Sequence, residues 1–295
     1  LLEVKNVSKK FKSNEFFSLQ DVSFSIKPGE IVGLIGKNGA GKTTLMKMIA
    51  KTIKPTSGTI IYQGKDIFSG DNLLHNVGLM IEAVYYSHLS AYRNLEFYLQ
   101  IHNQKQYHEN IEKVLDLVGL LEKKDQKPSG FSFGMKQRLG LALCLVTNPE
   151  FLILDEPFVG LDPNGVEMLI KTLKKWAEER KTTILISSHQ LNELEELAER
   201  YLFIENGRLK DDFIQSQENI TIIQLSKPVN SFDSIKKKYS GQITLTGDGD
   251  YLEVNLKGES FNSLLVDLTK ENQIVAITTK ENTIQKYFKE ENDHE

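Results

Sequence analysis

The segment Gly36-Lys37-Asn38-Gly39-Ala40-Gly41-Lys42-Thr43-Thr44 constrains the fold of this chain more than any other stretch. It fits the pattern GxxxxGK[ST] with the required flanks: an apolar strand candidate, Glu30–Ile35, before it and a helical run, Leu45–Ala50, after it. Glycine lets the backbone curl until several N–H groups point at phosphate oxygens, and the helix N-terminus adds the positive end of its dipole. Lys42 is suited to bridge β- and γ-phosphates, and Thr43 to offer its hydroxyl to Mg²⁺. The expectation is a strand–loop–helix cradle for a nucleoside triphosphate.

Such a loop works with an acidic strand end. Phe151-Leu152-Ile153-Leu154-Asp155-Glu156-Pro157 is an apolar strand closing on two carboxylates. Asp155 can hold Mg²⁺ through water, and Glu156 is placed to polarise an attacking water. Ile184–Ser188 is another apolar run with a polar end, and the next residue, His189, is a candidate contact for the γ-phosphate. Unbroken apolar strands suit a parallel sheet buried on both faces. Glu3–Val7, Val22–Ile26, Thr59–Tyr62, Val77–Ile81, Thr182–Ser187 and Tyr201–Glu205 complete an α/β pattern. Tyr92–Ile101, Tyr107–Val118 and Met135–Val146 read as helices, so a helical subdomain at about 88–146 is expected as an insertion.

Composition narrows the class. With 36 basic and 40 acidic residues the chain carries −4, which disfavours a general nucleic-acid binder. A hydrophobic content of 40% excludes a disordered chain. The single cysteine, Cys144, cannot close an internal disulfide and suits a reducing compartment. The longest apolar stretch, Leu139–Val146, is too short to cross a bilayer, which takes roughly 20 residues. No signal peptide is visible, and the chain opens on Leu1, so residues are expected to precede it.

Charge also divides the chain. Residues 217–295 hold 9 Lys, no Arg and 13 acidic residues, whereas residues 1–216 are neutral. After Asn219 the segments shorten: Ile220–Leu225 apolar, Phe232–Tyr239 helical, Gln242–Thr246 and Tyr251–Leu256 alternating, Ser260–Lys270 helical and Gln273–Thr279 apolar. Strand, helix, strand, strand, helix, strand is a ferredoxin-like α+β pattern, with Gly247-Asp248-Gly249-Asp250 as its hairpin turn. The expected domains are 1–216 and an accessory 217–295.

Phe131-Ser132-Phe133-Gly134-Met135-Lys136-Gln137-Arg138-Leu139 resembles the signature motif of ABC ATPases, LSGGQ followed by Gln-Arg. Gly160-Leu161-Asp162 resembles their D-loop, although Asp162-Pro163 reads equally as the cap and first residue of a helix. The resemblance spans about residues 2–216. It implies an ABC-type P-loop NTPase core with a mixed sheet and an inserted helical subdomain, hydrolysing ATP with Mg²⁺. It also implies a head-to-tail dimer with a second ABC ATPase subunit. There Ser132, Gly134 and the helix N-terminus around Phe133 and Met135 meet the γ-phosphate held by the other copy, and Asp162 couples the two sites. Phe11 stands where the family stacks an aromatic ring on adenine, with Phe16 and Phe17 as competitors. The family's membrane pore would come from separate permease subunits, contacted by Glu82 to Tyr92 at the cytoplasmic face of the membrane.

Two positions depart from the family pattern. Phe133 replaces the first signature glycine. Glu82 replaces the usual glutamine of the Q-loop, where a carboxylate can still approach Mg²⁺ and the water. The run Ile81-Glu82 through Asn94-Leu95, the segment Gly134–Gly140 and the tail Asn282–Phe288 resemble the branch of bacitracin-type resistance and lantibiotic self-protection exporters. The implied function is the ATPase subunit of an exporter for an antibiotic peptide. Another drug or lipid cargo competes within that class. A soluble ABC ATPase usually carries a second cassette, a coiled coil or a basic extension, none of which is visible, and the signature segment argues against a P-loop kinase.

Overall fold

The computed structural model describes residues 1–13, 15–70, 73–82, 84–214, 221–229, 232–239, 242–246, 250–256 and 258–279. The chain divides into two compact units, Leu1–Ile214 and Gln215–Glu295.

The first unit opens with β1 (Leu2–Lys9), β2 (Leu19–Ile26), β3 (Ile31–Ile35), α1 (Lys42–Ile49), β4 (Ser57–Tyr62), β5 (Lys65–Asp66) and β6 (Val77–Met80). The inserted helices α2 (Ala91–Ile101), α3 (Asn110–Leu117) and α4 (Phe133–Leu145) follow. Next come β7 (Phe151–Asp155), α5 (Pro163–Arg180), β8 (Thr183–Ser187), α6 (Leu191–Leu197), β9 (Arg200–Glu205) and β10 (Arg208–Ile214).

Two sheets result. β2-β1-β4-β5 is antiparallel, and its strands alternate: β2 buries Leu19, Val22, Phe24 and Ile26 and turns most of the residues between them outward. The other sheet has the order β10-β9-β3-β8-β7-β6, parallel throughout except for β10 against β9. β8 is buried along its whole length and β7 up to Asp155, as two-sided coverage of a parallel sheet requires. Helix α1 buries Leu45, Met46, Met48 and Ile49 in a core that takes side chains from both sheets.

Register decides what meets at the sheet's edge. Leu34 of β3 lies beside Ser187 of β8, and Ser187 lies beside Asp155 of β7. Three adjacent parallel strands therefore end level, at the carboxyl edge where open α/β sheets bind ligands.

In the insertion, α2, α3 and α4 pack on one another. Ser90 caps α2 by accepting from Arg93 N, and Ser132 caps α4 by accepting from Met135 N. Asn94, 1% exposed, accepts from Tyr86 N and donates to the carbonyls of Tyr86, Leu89 and Ser90, which ties the segment ahead of α2 to the helix. Helix α3 starts later than its apolar spacing predicts, because Lys105–Tyr107 forms a separate 3₁₀ turn. β5, α6 and β10 add to the elements expected from the sequence. β10, RLKDDFI, is an edge strand whose charges mask its alternation.

The second unit comprises β11 (Thr221–Leu225), α7 (Phe232–Lys238), β12 (Ile243–Thr246), β13 (Tyr251–Val254), α8 (Gly258–Thr269) and β14 (Ile274–Thr279). Its antiparallel sheet has the order β12-β13-β11-β14, the ferredoxin-like arrangement. Ile223, Leu225, Tyr239, Ile243, Leu252, Val254, Leu256, Leu264 and Leu268 form its own core. The expected Gly247–Gly249 part of the hairpin turn, Ile220 and the tail 282–288 lie outside the described residues. Among the described residues no helix is long and apolar enough to cross a membrane.

Candidate nucleotide site

The loop between β3 and α1 needs glycine at two positions for steric reasons. Gly36 has φ 146°, and a Cβ there would lie 2.1 Å from the Ile204 carbonyl oxygen. Gly41 has φ 114°, and a Cβ there would lie 2.8 Å from the Ser18 carbonyl oxygen. The loop is thus pressed against two neighbours, and a side chain fits at neither glycine. Lys42 Nζ donates to the carbonyls of Gly36 and Lys37, which holds the ammonium over the loop.

The strand ends supply the rest. Thr43 Oγ1, on the first turn of α1, donates to Asp155 Oδ2 at 2.7 Å. Asp155 Oδ1 accepts from the Ser187 hydroxyl. Glu156 N donates to both Ser187 O (3.1 Å) and Ser187 Oγ (3.2 Å). Glu156 itself is left-handed, φ 53°, and its Oε2 accepts from His189 Nδ1 at 2.7 Å and from His189 N at 3.3 Å. A carboxylate can only accept, so the imidazole proton sits on Nδ1.

A cleft of about 520 Å³ lies over this arrangement. Lys37, Asn38, Gly39, Gly41, Lys42, Thr43 and Thr44 form its floor, with Asp155 and Glu156 on one wall. Phe16, Phe17, Ser18, Asn206 and Gly207 form the rest of its lining. Asn206 (φ 49°) and Gly207 (φ 76°) make the two-residue β9–β10 turn with both φ positive, the type I′ geometry that an Asn-Gly pair favours. This turn supports the phosphate loop, because Gly207 N donates to the Ala40 carbonyl and Gly207 O accepts from Gln20 N. The Asn-Gly dipeptide was the sequence signal for that wall, and it was missed. So was Ser187, a serine at the end of an apolar strand.

Two of the expected site residues stand apart from this cleft. Phe11 does not line the cleft: its ring lies 5.0 Å from Lys9 Nζ, and the chain turns after β1 so that Phe16 and Phe17 stand there instead. The return is fixed by Ser18 N donating to Lys9 O. Glu82 does not reach Thr43 or Asp155. Its side chain, 72% exposed, pairs with Lys47 Nζ at 2.6 Å, one helical turn beyond Thr43 on α1. The lysine captures the carboxylate and holds its pKa below the ordinary value, chiefly through the hydrogen bond.

The signature residues lie outside this cleft. Phe133 is 66% exposed, so its ring points into solvent. Gly134 is pressed on Gly160, where a Cβ would lie 2.7 Å from the Gly160 carbonyl oxygen. Signature and D-loop segments are therefore in backbone contact within one chain. Met135 N is spent on the Ser132 cap, and Asp162 caps α5 by accepting from Gly165 N at 2.8 Å.

Hard oxygen donors, Thr43 Oγ1 and Asp155 Oδ2, sit together beside a phosphate cradle. That donor set fits Mg²⁺, which binds through few protein oxygens and takes its remaining ligands from phosphate and water. Loop, acidic strand end and histidine on one sheet edge define a P-loop ATPase.

Residues 19–159 match the ABC transporter family. The chain is 41% identical over 237 residues to YcbN, an uncharacterized ABC transporter ATP-binding protein of Bacillus subtilis (strain 168), covering 77% of this chain and 75% of the relative. It is 38% identical over 214 residues to the bacitracin transport ATP-binding protein BcrA of Enterococcus faecalis (72% and 68%). It is also 38% identical over 210 residues to the lantibiotic transport ATP-binding protein SrtF of Streptococcus pyogenes (71% and 89%). Among solved structures, a dimeric ATP-binding cassette in a post-hydrolysis state with ADP and phosphate superposes with TM-score 0.67 at 26% identity, covering 72% of this chain and 98% of that one. An ATP-binding subunit of an ABC transporter superposes with TM-score 0.66 at 27% identity, covering 91% and 99%. The chain belongs to the ABC transporter family, as an ATP-binding domain that hydrolyses ATP.

Proposed function

We propose that this protein is the ATPase subunit of an exporter that removes a membrane-active antibiotic peptide, of the bacitracin or lantibiotic kind, through separate permease subunits. The observation that carries the cargo is the 38% identity to both a bacitracin and a lantibiotic transport ATP-binding protein over more than two thirds of the chain. The protein works at the cytoplasmic face of the membrane as a head-to-tail pair of such subunits. Residues 1–216 are the motor, and residues 217–295 are an accessory domain.

The chemistry follows from the strand ends. The loop amides and Lys42 bind the β- and γ-phosphates, and Phe16 or Phe17 faces the adenine. Thr43 and Asp155 would hold Mg²⁺, which when bound would neutralise charge on the phosphate oxygens. Glu156 accepts the proton of the attacking water. His189 holds the carboxylate of Glu156 from one side and reaches toward the γ-phosphate. Ser132, Phe133, Gly134, Met135 and Asp162 act on the nucleotide of the second subunit, with the contact between Gly134 and Gly160 linking signature and D-loop. Glu82 is read as a partner of Lys47 and not as a ligand.

The test is purification of tagged Glu156→Gln protein from the native host's membranes in ATP. Co-purification of a multi-span chain, together with peptide sensitivity on deletion of the gene, is the expected result. Recovery of soluble proteins alone, or a deletion strain as resistant as its parent, overturns the exporter reading.

A further inference from the structure

Ser187 is fully buried at the end of β8, between the two strands whose ends build the site. A hydroxyl in such a place must be hydrogen-bonded, since an unpaired one costs about 1–3 kcal/mol. Ser187 uses its hydroxyl twice. It donates its only proton to Asp155 Oδ1 and accepts from the backbone N–H of Glu156 at 3.2 Å. The Ser187 carbonyl takes the same N–H at 3.1 Å.

These bonds have directional consequences. A carboxylate turns about its terminal torsion unless one oxygen is tied down. With Oδ1 occupied by Ser187, Oδ2 faces Thr43 Oγ1 at 2.7 Å, on the side of the phosphate loop. The N–H of Glu156 is held by the same residue, at a position whose φ of 53° is unfavourable for a side chain larger than glycine. That backbone turn points the Glu156 carboxylate at His189. Parallel register makes the arrangement possible, since Ser187 is the residue level with Asp155.

We propose that Ser187 is a positioning residue for the ATPase reaction: its hydroxyl selects which oxygen of Asp155 faces the metal and, together with the Ser187 carbonyl, holds the backbone turn that aims Glu156. This rests on the roles proposed above for Asp155 and Glu156. Groups that orient a metal-binding carboxylate are typically worth about 10–100-fold in metal affinity or activity.

The experiment measures Mn²⁺ binding to the full-length protein by electron paramagnetic resonance, with a non-hydrolysable ATP analogue bound. ATP affinity in EDTA, turnover and thermal unfolding are measured alongside. Ser187→Ala should raise the Mn²⁺ midpoint and lower kcat by about 10-fold or more each, with metal-free nucleotide affinity unchanged. Ser187→Thr, which keeps the hydroxyl, should restore both. Ser187→Cys, of similar volume with a weak donor, repeats the reading should the alanine variant unfold early. An unchanged Mn²⁺ midpoint in Ser187→Ala, or an equal fall in metal-free nucleotide affinity, overturns the inference. Asp155→Asn separates the two levels: no shift there overturns the metal reading and the inference together. A shift there with none in Ser187→Ala overturns the inference alone.

Discussion

Glu156 works from a backbone conformation that most residues avoid, and its neighbours show how that turn is held. Its N–H is fixed by Ser187 and its carboxylate by His189. Glu156→Gln keeps these contacts in shape but removes the proposed base. Turnover should fall by roughly 10²–10⁴-fold while ATP binding persists, as single-turnover hydrolysis and nucleotide titration will register. At the signature, two adjacent positions behave oppositely. Gly134→Ala drives a Cβ into the Gly160 backbone and should cost about 1–3 kcal/mol in a denaturant melt. Phe133→Ala removes an exposed ring and should stay within about 0.5 kcal/mol. The family's pattern gives both positions glycine, yet only one is held to it by this chain's own packing.

Among the elements, α2 is fixed at its start by a buried side chain. Asn94 satisfies the backbone of Tyr86, Leu89 and Ser90, so the segment proposed to meet the permease is fastened to the insertion. Asn94→Ala orphans several of these groups. It should cost about 1–3 kcal/mol and raise hydrogen exchange at residues 86–90 first. In the second unit, Asp267 joins α7 to α8 by accepting from Lys238, Lys270 and the Tyr239 hydroxyl. Those partners, Lys238 first, hold its pKa well below the usual carboxylate range. The folded value is depressed, so this stabilisation is complete above the unfolded value near pH 4 and drains away as pH falls below it. Acid melts of the protein should lose that dependence in Asp267→Asn.

At the scale of the molecule, each unit has its own apolar core. Protein ending at Ile214 should therefore bind ATP as the full chain does, and thermal unfolding of the full chain should lose one component on truncation. A large fall in nucleotide affinity would make the second unit part of the binding machinery. The questions of partner and cargo belong to the assembly, and the membrane purification addresses them.

The sequence by itself determined the phosphate loop, the carboxylates at the end of β7, His189 and the α/β class. These are signals carried by a few neighbouring residues, with local propensity and apolar runs pointing the same way. It also carried the order of elements in the ferredoxin-like unit, because alternation and turn residues are local. Tertiary structure decided what meets across strands. Register put Ser187 level with Asp155, backbone hydrogen bonds set the Asn206-Gly207 turn behind the loop, and the return of the chain after β1 brought Phe16 and Phe17 to the cleft. An ion pair joins Glu82 to Lys47, one helical turn beyond Thr43. Such contacts join residues far apart in sequence, and no periodicity within one segment encodes them.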